Sequence, residues 1–140
     1  MESKSKKLID YSIVIPVYQN KGSLKDTFKL LKKNVIDRNP QYSVELIFVN
    51  DGSTDGSLEV LIELYEAYPE LITLIKLTRN FGTYPAILAG YQQARGKCVI
   101  NISADLQDPP ELIHDMLDYH FNKKYNIVIC TRESRDENIY

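Results

Sequence analysis

Apolar residues along this chain fall into two alternating patterns. Five short runs, at 12–17, 44–50, 72–77, 98–103 and 126–131, are continuous and rich in Ile and Val, as strands buried on both faces are. Between them the apolar positions recur three and four residues apart, the spacing of a helix that buries one side. Leu24, Phe28, Leu31 and Val35 make one such face, and Leu58, Leu61, Ile62 and Tyr65 a second. Tyr84, Ile87, Leu88 and Tyr91 make a third, and Leu112, Ile113, Met116 and Leu117 a fourth. All four faces are read as core. Strand starts at 12, 44, 72, 98 and 126 are 26 to 32 residues apart, the length of a strand–helix–strand unit. The alternation predicts an α/β fold: a three-layer α/β/α arrangement around a mainly parallel sheet, with right-handed crossovers.

The helix boundaries carry their own signals. Ser23, with Asp26 three residues later, opens the first helix. Pro69 follows the second, and Gly96 ends the third. Asp108, Pro109 and Glu111 form the start of the fourth, with the proline at the first helical position. Asp105 is not needed for that start, which leaves it free to hold a metal.

Length and charge narrow the picture. A chain of 140 residues makes about one domain. Its net charge of −2 provides no basic footprint for nucleic acid, so an anionic ligand must be held by a local arrangement or by a cation. No apolar run approaches the ~18 residues of a membrane span. Residues 1–10 read as a flexible basic arm rather than a signal peptide. Cys98 and Cys130 fall at opposite ends of two expected parallel strands, an offset of about 13 Å along the strands. That is too far for a disulfide, so both are expected as buried thiols of a reducing compartment.

The residues that suggest chemistry gather where strands end: Pro16 to Asn20, Asp51 to Gly56, Arg79 to Gly82, and Asp105 to Gln107. In a parallel sheet these four loops share one rim, where a ligand crevice is expected. Asp51 can accept hydrogen bonds from a base or a ribose, or can belong to a plain turn in which Asp55 or Ser57 caps the next helix. Arg79 can pair with phosphate or lie at the surface, and Tyr18 can meet a base or pack on its own loop. Asp105 and Gln107, two apart in extended chain, direct oxygen ligands to one side. They suit Mg²⁺ or Mn²⁺, which need few protein ligands when a diphosphate supplies others. His114 and His120 are six apart, do not share a helical face, and read as structural.

Four motifs together carry a resemblance: Ile15-Pro16-Val17-Tyr18, Val49-Asn50-Asp51-Gly52-Ser53-Thr54-Asp55, Arg79-Asn80-Phe81-Gly82, and Ala104-Asp105-Leu106-Gln107-Asp108-Pro109-Pro110-Glu111. Over residues 11–135 the chain resembles family 2 of the inverting glycosyltransferases. Within it, the similarity is to the dolichyl-phosphate mannose synthase and bacterial polyprenyl-phosphate glycosyltransferase branch. The last two motifs are the more specific to that branch. The resemblance implies the Rossmann-like, nucleotide-sugar-binding half of a GT-A fold, truncated on its carboxy-terminal side. It implies that Pro16, Tyr18 and Asp51 line the base and ribose site. Asp105 would be the second acid of an Asp-x-Asp metal motif with Gln107 beside it, and Arg132 would lie near the phosphates. Asn20, Arg79 and Asp105 would join Pro16, Tyr18 and Asp51 as nucleotide contacts. Two positions depart from the pattern: Ser103 stands where the first Asp of that motif is expected, and Asn20 stands where an acid is usual.

The implied reaction moves a sugar, with inversion, from a nucleoside-diphosphate sugar to a polyprenyl phosphate. UDP-sugar is favoured over GDP-mannose as donor. The longer enzyme would sit at the cytoplasmic face of a membrane, serve cell-envelope biosynthesis and form homo-oligomers. No general base stands out, and a phosphate acceptor needs little help from one; a sugar-hydroxyl acceptor would need a base beyond Tyr140. Two other readings fit parts of the chain. One is a nucleotide-binding or assembly module without turnover. The other is a phosphoacceptor receiver domain, which would want an acidic pair after strand one and a Lys after strand five, where this chain has Pro16-Val17-Tyr18 and Thr131-Arg132.

Overall fold

The computed structural model describes residues 7–131. Four strands form one parallel sheet: β1 (Ile9–Val17), β2 (Val44–Asn50), β3 (Ile72–Lys76) and β4 (Gly96–Asn101), in the order β3-β2-β1-β4. Four α-helices connect or follow them: α1 (Leu24–Leu31), α2 (Ser57–Ala67), α3 (Thr83–Gln93) and α4 (Leu112–Phe121). A π-helical turn, Lys32–Ile36, extends α1. β1 begins at Ile9, so the last two residues of the expected arm belong to the sheet.

The sheet divides the core in two. On one face Leu24, Phe28 and Leu31 of α1, Val60, Leu61 and Leu64 of α2, and Ile113 and Leu117 of α4 pack against Ile13, Ile15, Leu46 and Phe48. On the other, α3 alone covers Val14, Ile47 and Val49, mainly through Ala86. Each apolar side chain removed from water this way stabilises the fold by roughly 1.5–3 kcal/mol.

Two helices turn different sides to the core than expected. In α2 the buried residues are Ser57, Val60, Leu61 and Leu64, while Ile62 and Tyr65 face outward. In α3 the buried residues are the small ones, Ala86 and Gly90; Tyr84 is 86% exposed and Leu88 and Tyr91 are also exposed. The reason is proximity. A Cβ on Gly90 would stand 2.4 Å from Cγ1 of Val14, so α3 lies too close to β1 to seat large residues there.

The helix starts also differ. Ser23 precedes α1 without a side-chain cap bond. The fourth helix opens at Leu112 after three bonds from residue i+3 back to i, beginning at Pro109, and Glu111 instead accepts a hydrogen bond from Asn34 Nδ2 at 3.2 Å. Gly96 starts β4 rather than ending α3. A Cβ there would lie 2.5 Å from Ser12 N, so the crowded strand crossing requires a glycine.

No fifth strand forms among the described residues: 126–131 pairs with nothing, and Ile127 and Ile129 are 78% and 77% exposed. The chain reaches β2 and β3 with helices on one face, and returns to β4 with α3 on the other. A right-handed step outward from β4 needs its helix on the α3 face, but α4 packs on the opposite one. Cys98 and Cys130 are free thiols; Cys98 is half-buried, but Cys130, on this unpaired segment, is exposed.

At the end of the sheet away from the strand-end loops, Glu45 is 1% exposed. Its carboxylate accepts from Ser12 Oγ at 2.8 Å, Arg95 N at 2.7 Å and Arg95 Nε at 2.9 Å, and pairs with Arg95 Nη2 at 2.8 Å. These bonds satisfy a buried charge that the apolar pattern of the strand conceals.

Candidate functional site

The strand order reverses between β1 and β4, because β2 and β3 lie to one side of β1 and β4 to the other. Ligands of open α/β sheets bind at such a switch point, outside the carboxyl ends of the strands. A depression of ≈ 240 Å³ lies there. Pro16, Tyr18 and Asn20 form its β1 wall, Ser103 and Asp105 its β4 wall, and Thr83, the first residue of α3, its side. Four of the expected nucleotide contacts (Pro16, Tyr18, Asn20 and Asp105) are thus brought together from opposite parts of the chain. Thr83 and Ser103 have no ligand role in the reading of the sequence. The signal for Thr83 is its place directly after Arg79-Asn80-Phe81-Gly82 on the same rim.

The loops around the depression are tied to one another. Gln19, at φ 55°, exchanges side-chain bonds with Thr54: Gln19 Nε2 donates to Thr54 Oγ1 at 3.0 Å, and Thr54 N donates to Gln19 Oε1 at 2.8 Å. Asn20 Oδ1 accepts from Tyr18 N at 2.9 Å, and Asn20 N donates to Ser57 Oγ at 3.0 Å. Gly56, not Asp55 or Ser57, is the N-cap of α2. Asp55, one residue ahead, ties the helix start to the β1 loop: its Oδ1 accepts from Ser57 N at 3.0 Å and Ser57 Oγ at 2.6 Å, and its Oδ2 from Lys21 N at 3.1 Å. The Ser57 hydroxyl, foremost, holds the Asp55 carboxyl below the usual aspartate range.

Asp51 is 2% exposed and stands outside the lining of the depression. Its Oδ1 accepts from Phe81 N at 2.7 Å; its Oδ2 accepts from Gly82 N at 3.0 Å and Asn80 Nδ2 at 3.2 Å. Asp51 N donates to Val17 O at 2.8 Å. A carboxylate so placed satisfies backbone donors ahead of α3 and suits the positive end of that helix. Two of the motifs are therefore halves of one contact. Arg79 is exposed, with its guanidinium carbon 4.4 Å from the centre of the Phe81 ring, and also lies outside the lining.

Asp105 is exposed, but its carboxylate is not idle. Oδ1 accepts from Ser103 Oγ at 2.7 Å and Oδ2 from Gln107 Nε2 at 3.0 Å. Between Asp105 and Gln107, Leu106 takes φ 50°, which folds the segment back rather than extending it. The Ser103 hydroxyl, foremost, keeps the carboxyl below the usual range, so it is ionised at neutral pH. Both oxygens retain lone pairs, and Gln107 keeps its amide oxygen after donating through nitrogen. No cluster of three or more His, Cys, Asp or Glu exists among the described residues. Gln107 stands outside the lining of the depression. One carboxylate with neighbouring hydroxyl and amide oxygens fits a hard divalent cation only if phosphate and water supply the remaining ligands. Arg132 lies outside the described residues.

The two histidines are structural. His114 donates from Nε2 to Asn34 O at 2.7 Å and accepts at Nδ1 from Asn39 Nδ2 at 2.8 Å. His120 donates from Nδ1 to Tyr125 O at 2.9 Å.

A parallel sheet with a depression at its switch point belongs to the class of open α/β domains that bind ligands beyond the strand ends. The sequence model described as Glycosyl transferase family 2 matches residues 12–140, and the chain belongs to that family. It is 44% identical over 127 residues to an uncharacterised glycosyltransferase of Synechocystis sp., covering 91% of this chain and 39% of the relative. It is 33% identical over 129 residues to an undecaprenyl-phosphate 4-deoxy-4-formamido-L-arabinose transferase of Klebsiella pneumoniae, covering 92% of this chain and 38% of the relative. The chain thus spans less than two-fifths of these relatives' length. Among solved structures it resembles a mannosyltransferase of Pyrobaculum calidifontis in complex with GDP-Man and Mn²⁺, with TM-score 0.61 and 21% identity over 74% of this chain and 34% of that one. That likeness is one of fold, the GT-A glycosyltransferase architecture. No helix among the described residues is long and apolar enough to cross a membrane.

Proposed function

We propose that this domain binds a nucleoside-diphosphate sugar at the β1/β4 depression and serves an inverting transfer of the sugar to a polyprenyl phosphate. The observation that carries the reading is the convergence of Tyr18, Asn20 and Asp105 on one depression at the switch point in a chain of this family. The Klebsiella relative's name supports the lipid-phosphate acceptor, which would place the longer enzyme at a membrane's cytoplasmic face. The donor is taken as a UDP-sugar, with GDP-mannose as the alternative.

In this reading Tyr18, half-exposed, offers a ring to the base, while Pro16 and Asn20 shape the wall beside it. Asp51 acts behind the site, holding the segment 80–82 from which Thr83 reaches the depression. Asp105 and Gln107 would hold a divalent ion, Mg²⁺ or Mn²⁺, and Arg132 would stand near the phosphates. When bound, such an ion supplies charge neutralisation for the departing diphosphate. A phosphate monoester acceptor is about doubly charged near neutral pH, so its oxygen can attack without a general base.

Isothermal titration with UDP and GDP tests the proposal. Binding is expected to strengthen with Mn²⁺, and Asp105→Ala is expected to remove that gain while leaving metal-free binding in place. Equal binding with and without metal in both proteins would end the assignment of Asp105. Failure of both nucleotides to bind would end the site.

A further inference from the structure

We infer that Thr27 and Ser23 of α1 are positioning residues for Asp105. The inference rests on the reading of Asp105 as the metal-holding carboxylate and adds what orients it. Thr27 is 2% exposed and Ala104 3%. Thr27 Oγ1 donates to the Ala104 carbonyl at 2.5 Å, and Ser23 Oγ approaches the same oxygen at 3.2 Å. The carbonyl that precedes Asp105 thus accepts from Thr27 within α1, 77 residues away in sequence. It also lies within reach of the Ser23 hydroxyl just ahead of that helix, 81 residues away, whose single proton is shared with Asn20 O.

Neither hydroxyl does what its position in a helix would ordinarily have it do. A serine ahead of a helix bonds a free N–H of the first turn, yet Ser23 makes no such bond. A threonine within a helix commonly bonds the carbonyl a turn behind it, whereas Thr27 reaches across to another loop. Ser23 Oγ also lies 3.2 Å from Asn20 O, and the backbone N–H groups of Ser23 and Leu24 donate to that same oxygen. The start of α1 thus joins the β1 wall of the depression to the β4 wall.

The segment it holds needs holding. Leu106, at φ 50°, adopts a conformation that branched side chains disfavour, and a 3.4 Å bond from Leu106 N to Ser103 O closes the turn weakly. The peptide joining Ala104 to Asp105 sets the direction of the carboxylate. With its carbonyl anchored to α1, that direction is fixed before any ligand arrives. Removing a group bonded directly to a metal ligand typically changes metal affinity by roughly 10–100-fold. Thr27 acts one bond further away, through the Ala104 carbonyl, so the lower end of that range is expected.

The test compares wild type, Thr27→Val, Thr27→Ser and Ser23→Ala by two readouts. The first is amide hydrogen exchange at Asp105, Leu106 and Gln107. The second is the gain in UDP or GDP binding on adding Mn²⁺. Thr27→Val preserves shape and removes the donor. It is expected to raise exchange at these three amides about tenfold with β2 and α2 amides unchanged, and to reduce the Mn²⁺ gain about tenfold with metal-free binding within about twofold. Thr27→Ser is expected to restore both. Wild-type exchange and a wild-type Mn²⁺ gain in Thr27→Val would overturn the inference, as would a rise in exchange spread over the whole sheet. If Thr27→Val does not fold, Ser23→Ala is read by the same criteria. Loss of the Mn²⁺ gain in Asp105→Ala but not in Thr27→Val rejects the positioning role alone. An unchanged gain in Asp105→Ala rejects the metal reading, and the exchange data then decide whether α1 holds the turn.

Discussion

Gly52 shows how a residue without a side chain can organise a rim. It takes φ +70°, and a Cβ there would stand 2.3 Å from Asn80 N and 2.5 Å from Arg79 C. The β2 and β3 loops therefore touch backbone to backbone, and that closeness lets Asp51 reach the amides of Phe81 and Gly82. Gly52→Ala meets two penalties at once. The left-handed conformation costs an alanine about 1–2 kcal/mol, and overpacking against backbone, which cannot rotate away, adds about 1–3 kcal/mol. The expected loss is at least about 2 kcal/mol, read from the urea midpoint at unchanged slope. A loss under about 0.5 kcal/mol, the usual range of a neutral surface change, would show that the two loops are not in contact. The Asp-Gly pair is visible in sequence as a turn, but its partner 29 residues on is not, because nothing local encodes which loop will lie against it.

At the scale of elements, α3 is the instructive case. A face of Tyr84, Ile87, Leu88 and Tyr91 has the right period for a buried stripe, and the helix is indeed where the period places it. The side it buries is instead chosen by distance. Gly90 lies against Val14, which is fully buried and has a β-branched, stiff side chain. Gly90→Ala sets two effects against each other. Helix propensity favours alanine by about 1 kcal/mol, while crowding against Val14 opposes it by about 1–3 kcal/mol. Crowding should win, giving net destabilisation in thermal or urea unfolding. Val14→Ala in the same chain should relieve much of the effect, so a double-mutant cycle is expected to give a coupling of about 1 kcal/mol or more. Additive behaviour of the two changes would contradict the close packing of α3 on β1. The face of α2 turned by one position for a similar reason: its inner side is set by where β2 and β3 lie, and Val60 and Leu64 suit that side as well as Leu58 and Ile62 suited the expected one.

At the scale of the whole molecule, β4 is an edge of the sheet among the described residues. Val99, on β4, is 37% exposed, and the exposed Tyr91, Ile127 and Ile129 lie around it. β4 has one hydrogen-bonded neighbour, β1, among the described strands. An open, apolar strand edge is a template for association, and a net charge of −2 does little to oppose it. Sedimentation of this chain at increasing concentration is expected to show self-association. Val99→Lys should suppress it without altering the circular dichroism spectrum. A wild-type chain that stays monomeric over the whole range would argue that this edge is not sticky.

What the linear order of residues determined was the class of fold and the location of the chemistry. Continuous Ile- and Val-rich runs, alternating with helical spacing, can bury themselves only as a covered parallel sheet, and the polar motifs then share the rim where strands end. Tertiary structure decided which motif residue stays open toward the depression and which is turned to a neighbour. Asp51 and Asp105 look alike as strand-end carboxylates. One is consumed by backbone donors from another loop, and the other keeps lone pairs toward solvent. The difference arises because hydrogen-bond donors brought close by folding compete with any ligand for the same oxygens, and which donors arrive depends on strand order, helix side and the close approaches at Gly52, Gly90 and Gly96.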